Sequence, residues 1–476
     1  MGDQDSSISS DSVKLAGAKG LNAALVFGGT ALFTRLIGAD ELGIYFLFER
    51  LLALFVIFSN FGLSGALEKR LSEGTDRGEY LATTAVLKLG LLVVLGVIIL
   101  ASQAQINSYL GADIAILLLV ALTVREAGQL FLRTLRGEQR VGETSYLLAI
   151  RQIGWVGIGA SLSLVGLGHL APLYGFLAGL TGILVLGYVM VDTEFGRPSM
   201  SHAKSLFSFS KYDFVSSSIG WEVYNSLDTL LIGLFLTKTA VTHYEIAWRV
   251  STVVMIVTAS ISKVVFPSFS KFVANGEHQR VADITQWSIS AGLLVSIPAL
   301  AGVAVVGESL LRFGFGPETT AASFVLLILV ADKISHAVQE VLAQVVRAFD
   351  RPDICAGVTG ASILVNAGAN YYLIPRYGIL GAGIGTTGSF AAGTLLYVVA
   401  ARRFVTIRFP WRTIGWQVFS ATVMWGTLVG LKGIYGINSL LDTALYILLG
   451  VIVYGGLAVA HKDTRALVRN PSPGGT

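Results

Sequence analysis

Five basic residues stand inside long apolar runs of this chain: Arg50, Lys88, Arg125, Arg249 and Lys333. A charge at the centre of a membrane helix costs roughly 2.5–3.5 kcal/mol on insertion scales, so each needs a partner, a wet surface or a route to the interface. A guanidinium in such a place stays ionised and can grip a phosphate through two charge-assisted hydrogen bonds. In REAGQLFLRTLRG, Arg125, Gln129, Arg133 and Arg136 recur at helical spacing and form one polar stripe, a wet surface along the helix's inner half in which Arg125 suits a cavity lining and Arg133 and Arg136 suit anchors at the inner edge. Lys88 has no acidic residue one turn away and reads either as a cavity residue or as a side chain that snorkels to the interface. Arg50 follows Glu49, and Arg249 stands one turn after Glu245, so ion pairing is open beside ligand contact.

Acidic and amide residues interrupt other apolar runs. Carboxylates inside spans suit coupling to a proton or sodium gradient, which makes Asp228 and Asp332 the candidates, each with a fold-stabilising reading beside it. Asp332 and Lys333 are adjacent, so they are expected to point to different faces and to find partners elsewhere. Asn366 and Asn370 lie one turn apart before Pro375, where they would either bond backbone carbonyls freed near a bend or touch sugar hydroxyls. The single cysteine, Cys355, excludes an internal disulfide and a thiolate cluster, and the six histidines stand without zinc-site spacing. No cofactor and no metal are expected.

The elements that must position these residues follow from composition. The chain of 476 residues is 53% hydrophobic and only 13% charged, too few charges to clothe a water-soluble surface. Apolar runs long enough to cross a bilayer recur along it, about fourteen in all, among them 42–66 and 243–268. The expected fold is an all-α integral membrane protein with two six-helix lobes and two C-terminal helices. The divisions are a tail at 1–17, an N-lobe at 18–191, a linker at 192–211, a C-lobe at 212–400, helices 13 and 14 at 401–460 and a tail at 461–476. With the N terminus inside, most of the 34 lysines and arginines fall in inward links, Arg133, Arg136, Arg140 and Arg151 among them. Both termini are then cytoplasmic, and the net charge of +4 faces anionic lipid rather than nucleic acid. Trp221, Trp248, Trp287 and Trp411 fall toward span ends, where tryptophan suits the interface.

Two further patterns bear on architecture. Tyr45 and Arg50 recur as Tyr244 and Arg249 at the same spacing, a faint internal repeat of like orientation. GAGIGTTG invites a dinucleotide reading, yet it lies in an apolar run, and no acidic residue follows until Asp442. Gly381 and Gly385 read better as a face for close helix approach, with Pro375 stopping or bending the helix before it.

The motifs together resemble one family. VNAGANYYLIPRYGILGAGIGTT, Val365 to Thr387, is similar to the Asn-x-x-x-Asn-x-x-x-Ile-Pro-x-x-Gly-x-x-Gly-Ala signature of polysaccharide exporters and flippases in the multidrug/oligosaccharidyl-lipid/polysaccharide superfamily. LFTRLIGADELGIYFL resembles their opening through Arg35, Gly38, Gly43 and Tyr45, and Asn225 to Val250 resembles the start of their second lobe. Thr242 or His243 stands where a glycine commonly precedes the tyrosine. The resemblance implies a transporter, without covalent chemistry, that flips a polyprenyl- or dolichyl-diphosphate-linked oligosaccharide to the outer leaflet of the cell membrane by alternating access. It would act as a monomer, with glycan-assembly enzymes as candidate partners. Arg50, Lys88, Arg125, Gln129 and Arg249 would meet substrate. A cation-coupled multidrug exporter of the same superfamily and a membrane glycan polymerase or ligase are the alternatives; the short outward links lack paired carboxylates for glycosyl chemistry.

Overall fold

The computed structural model describes the backbone of residues 2–213 and 219–469 and the side chains of 22–210 and 222–467, Lys263, Asp463 and Ala466 aside. The side chains of the expected tail at 1–17, and that of Trp221, lie outside the described residues. Among these residues the chain is helical and contains no strand. It divides into two compact units, Met1–Thr242 and His243–Thr476.

The first unit holds α1 (Gly2–Asn60), α2 (Leu63–Ser72), α3 (Arg77–Ala101), α4 (Gln103–Leu110), α5 (Ala115–Gly137), α6 (Val141–Leu164), α7 (Leu170–Met190), α8 (Met200–Asp213) and α9 (Ile219–Phe235). Eleven helices of the described chain are long and apolar enough to cross a membrane. The difference from about fourteen has specific places. The 39 residues Asn22–Asn60 of α1 are a single candidate, yet at 1.5 Å per residue they reach about 58 Å, close to twice the hydrocarbon thickness. Gly38, at φ 81° and ψ 167°, breaks this helix where the two expected spans meet. α9, only 17 residues long, and the helix Pro352–Tyr377, which carries Asn366 and Asn370, are not among the eleven.

The expected span 42–66 is also broken. Phe61 and Gly62 take positive φ (42° and 74°), ending α1 and starting α2 at a new angle. The core of the unit gathers Phe33, Phe46, Leu47, Leu52 and Trp155, all at most 2% exposed. Tyr45 stacks on Trp155 with ring centroids 5.6 Å apart. Glycines bring α6 and α7 nearly into backbone contact: a Cβ added at Gly175 would stand 2.7 Å from the Gly159 nitrogen. The link after α7 is strapped to the same unit. Thr193 donates through its amide and its hydroxyl to Glu138, and Gly196 N donates to Gly78 O at 2.9 Å.

The second unit holds most of α10 (Lys238–Thr252), then α11 (Met255–Ala274), α12 (His278–Gly314), α13 (Ser323–Ala348), α14 (Pro352–Tyr377), α15 (Ile379–Ala401), α16 (Trp411–Tyr435), α17 (Leu440–Ala460) and α18 (Lys462–Arg469). The expected span 243–268 is split between α10 and α11 at Val253 and Val254. Pro375 does not stop its helix. α14 runs through it to Tyr377, and Gly378, at φ 62°, makes the turn. A proline in a last turn removes one hydrogen bond only, whereas a glycine frees the backbone to leave the helical region. At Gly381 an added Cβ would come 2.3 Å from Leu373 O, and at Gly385 2.3 Å from Asn370 Oδ1. α14 and α15 therefore pack with no room for a methyl group between them.

The two units share one turn in detail. After α5, Gln139 N donates to Arg136 O at 3.0 Å and Arg140 N to Leu135 O at 2.9 Å. After α13, Asp350 N donates to Arg347 O at 3.0 Å and Arg351 N to Val346 O at 3.3 Å. Gln139 and Asp350 both take positive φ. Each arginine then grips a carboxylate just inside the next helix, Arg140 on Glu143 and Arg351 on Asp353. The repeat glimpsed at Tyr45 and Tyr244 thus has a second, geometric witness.

Candidate functional site

The stripe on α5 meets a cavity of about 530 Å³ within the first unit. Arg125, Glu126, Gln129, Arg133 and Arg136 all line it, together with Asn60 of α1, Ser64 of α2 and Glu222 of α9. Helical periodicity explains why these residues share a side, and the apolar remainder of α5 explains why that side turns inward. Leu118, Leu122, Leu132 and Leu135 are at most 2% exposed and fix the helix against its neighbours.

Charges at this wall are unequally paired. Arg133 Nη1 donates to Glu68 Oε2 at 2.6 Å. Among the described residues no carboxylate lies within ion-pair distance of Arg125 or Arg136, and the Arg136 Nε is buried without a hydrogen-bond partner. Arg151 of α6 faces Arg125 closely enough for mutual repulsion, with Glu49 of α1 as the opposing charge. Its Nε is likewise buried without a partner. Sequence alone places Arg151 with the basic residues of an inward link; it stands instead well inside α6, and only the packing of α6 against α1 and α5 shows what it faces.

Lys88 of α3 is held by two residues that line the cavity. It is 4% exposed, does not reach the interface, and donates to Glu126 Oε2 at 2.6 Å and to Ser64 Oγ at 3.0 Å. The acid it lacked one turn away comes from α5, a distance of 38 positions in the chain. Arg50 lies half-buried in α1 beside Glu49, outside the lining of the cavity. Arg249 belongs to the second unit, where its Nε lies 3.4 Å from Glu245 Oε2, and Glu245 is fully buried. Asp228 of α9 is buried at 3% exposure.

The second unit gathers two polar clusters. Asp332 and Lys333, adjacent in sequence and expected to face apart, pair with each other at 2.9 Å. Both are at most 1% exposed, so the long lysine stem bends back to its neighbour, while Trp248 and Phe390 offer ring faces to the ammonium at 4.2 and 5.7 Å. Trp248 is therefore a buried partner and not an interfacial anchor, whereas Trp411 is 72% exposed. In the other cluster Asn370 Nδ2 donates to Asn366 Oδ1 at 3.2 Å, and Asn366 Nδ2 donates to Thr386 Oγ1 at 3.3 Å. The Tyr244 hydroxyl lies 3.4 Å from the same threonine. Asn366 thus binds across to α15, and Asn370 is linked to it along α14. Among the described residues no group of histidine, cysteine and carboxylate side chains is placed to hold a metal.

The model of a polysaccharide biosynthesis protein family matches residues 32–323, and that of lipid II flippase MurJ matches residues 214–454. The chain is 38% identical to the probable low-salt glycan biosynthesis flippase Agl15 of Haloferax volcanii, over 95% of this chain and 96% of the relative. It is 28% identical to the probable flippase AglR of the same organism, over 92% and 93%. In fold it is similar to the inward closed conformation of lipid II flippase MurJ, with a TM-score of 0.78 at 16% identity, covering 96% of this chain and all of that one. Matches over nearly the whole length, in sequence and in fold, agree with the motifs at Arg35, Tyr45, Asp228 and Asn366: the chain belongs to the polysaccharide flippase family of the multidrug/oligosaccharidyl-lipid/polysaccharide superfamily.

Proposed function

We propose that this chain flips a polyprenyl- or dolichyl-diphosphate-linked oligosaccharide from the cytoplasmic to the outer leaflet of the cell membrane, for assembly of surface glycan. The observation that carries the reading is the cavity wall with Arg125 and Arg136 unpaired by carboxylate and Arg151 close behind. Unpaired guanidinium groups among membrane helices are costly, and a diphosphate is the ligand that offsets the cost. The work is physical: a charged, hydrated head group must cross about 30 Å of hydrocarbon while its lipid tail stays in lipid. It calls for a cavity that opens alternately to the two sides, and for no covalent step.

In this reading both termini are cytoplasmic, as the distribution of lysine and arginine supports, and the monomer suffices. Gradient coupling through Asp228 or Asp332 is part of the proposal. The test is reconstitution of the purified chain in liposomes with a labelled lipid-linked oligosaccharide. Movement of label to the opposite leaflet, lost in Arg125→Gln at equal protein content, is the expected result. Export of cationic amphiphiles with no movement of the lipid-linked glycan would overturn it.

A further inference from the structure

We propose that Lys88 and Glu126 form an exchangeable pair: when the substrate's diphosphate enters, the Lys88 ammonium passes from the carboxylate to a phosphate oxygen, and Glu126 takes up one proton from water. The inference rests on the flippase reading and says how its anion site keeps its charge nearly balanced. The O–H formed on Glu126 balances the bond to hydrogen broken in the hydronium ion or buffer acid that delivers the proton, and no other covalent bond changes.

Three observations converge. Glu126 and Ser64 both line the cavity, and they are the two acceptors that hold Lys88 Nζ, at 2.6 and 3.0 Å. The ammonium is therefore parked at the wall, one side chain away from the place where an anion would lie. Lysine has three donors on a flexible four-carbon stem, so Lys88 can keep Ser64 as a pivot while it changes acceptors. Glu126 is 1% exposed, so when the ammonium leaves, a buried carboxylate loses the partner that offset its charge.

The charged groups around Glu126 come from several elements. On its own helix stand Arg125, Arg133 and Arg136, and Arg133 is held by Glu68 of α2. α6 contributes Arg151, opposed by Glu49 of α1. α9 contributes Glu222, the other carboxylate lining the cavity. α7, packed against α5, carries no charged residue. A pair that merely pinned α3 to α5 would exchange no proton, and the two roles differ in that readout.

The measurement is calorimetric titration of the purified full-length chain near pH 7 with a short-chain polyprenyl diphosphate, in two buffers of different ionisation heat. The wild type should take up about one proton more per bound ligand than Glu126→Gln. Glu126→Gln should bind more tightly, its lysine being free beforehand. Lys88→Met should bind about tenfold more weakly and show no such uptake, and Glu222→Gln should keep the wild-type count. Should either single variant fail to fold, the neutral pair Lys88→Met/Glu126→Gln takes its place in the comparison. Equal proton counts in wild type and Glu126→Gln overturn the exchange and leave the flippase reading standing. A wild type that does not bind the diphosphate overturns both.

Discussion

Gln139 and Asp350 occupy the same position in the same turn of the two units, each a non-glycine residue with left-handed backbone, at φ 64° and 57°. That conformation places Cβ near the following carbonyl and costs an L-residue roughly 1–2 kcal/mol. Glycine removes the clash but has more freedom to lose on folding. Gln139→Gly and Asp350→Gly should therefore each stabilise by a few tenths to about 1 kcal/mol. The check is the thermal midpoint of the purified protein, with flipping unaltered. A lower midpoint in both would mean that side-chain contacts outweigh backbone strain there.

Arg125 lines the cavity and Arg151, outside the lining, lies close enough to repel it; each should contribute to holding a diphosphate. Arg125→Gln and Arg151→Gln are expected to weaken binding of a diphosphate lipid about tenfold each, near 1.4 kcal/mol. The affinity is measured with the abundance of each variant in the membrane quantified alongside. Unchanged affinity in both variants, at normal abundance, would remove the guanidinium groups from the substrate site.

Gly385 and Gly388 offer a paired test of helix packing. An added methyl at Gly385 would meet Asn370 Oδ1 at 2.3 Å, whereas at Gly388 nothing lies within 4 Å. Gly385→Ala should destabilise by about 1–3 kcal/mol through overpacking, and Gly388→Ala should be neutral or slightly stabilising. Thermal unfolding in detergent separates them. Equal midpoints would show that α14 and α15 are free to move apart.

Lys333 and Asp332 neutralise one another at full burial. Lys333→Met leaves the carboxylate without its ammonium and should cost about 3–5 kcal/mol, as for other broken buried pairs. Lys333→Met/Asp332→Asn removes both charges and should recover most of that loss, read from denaturation midpoints of the two variants. If the double variant is no more stable than the single one, the lost stability does not come from an uncompensated carboxylate.

Much of the architecture was legible in the residues themselves. Apolar runs announced membrane helices, because hydrocarbon leaves the backbone no partner but itself. The α5 stripe was legible too, since one helix fixes the relative directions of Arg125, Gln129, Arg133 and Arg136 whatever surrounds it. The break at Gly38 was marked by the point where two spans met, but those at Phe61 and at Val253 were hidden inside continuous apolar sequence.

What the sequence determined by itself was therefore everything that depends on neighbours along the chain: which segments lie in lipid, and which side chains share a helix face. Only the tertiary structure decided the pairings: Lys88 with Glu126, Arg133 with Glu68, Arg151 beside Arg125, and the turning back of Lys333 onto Asp332. A helix specifies its own surface at every residue, but a buried charge takes whichever counter-charge packing brings within reach, and helix packing is set by shape, through contacts such as Gly175 against Gly159.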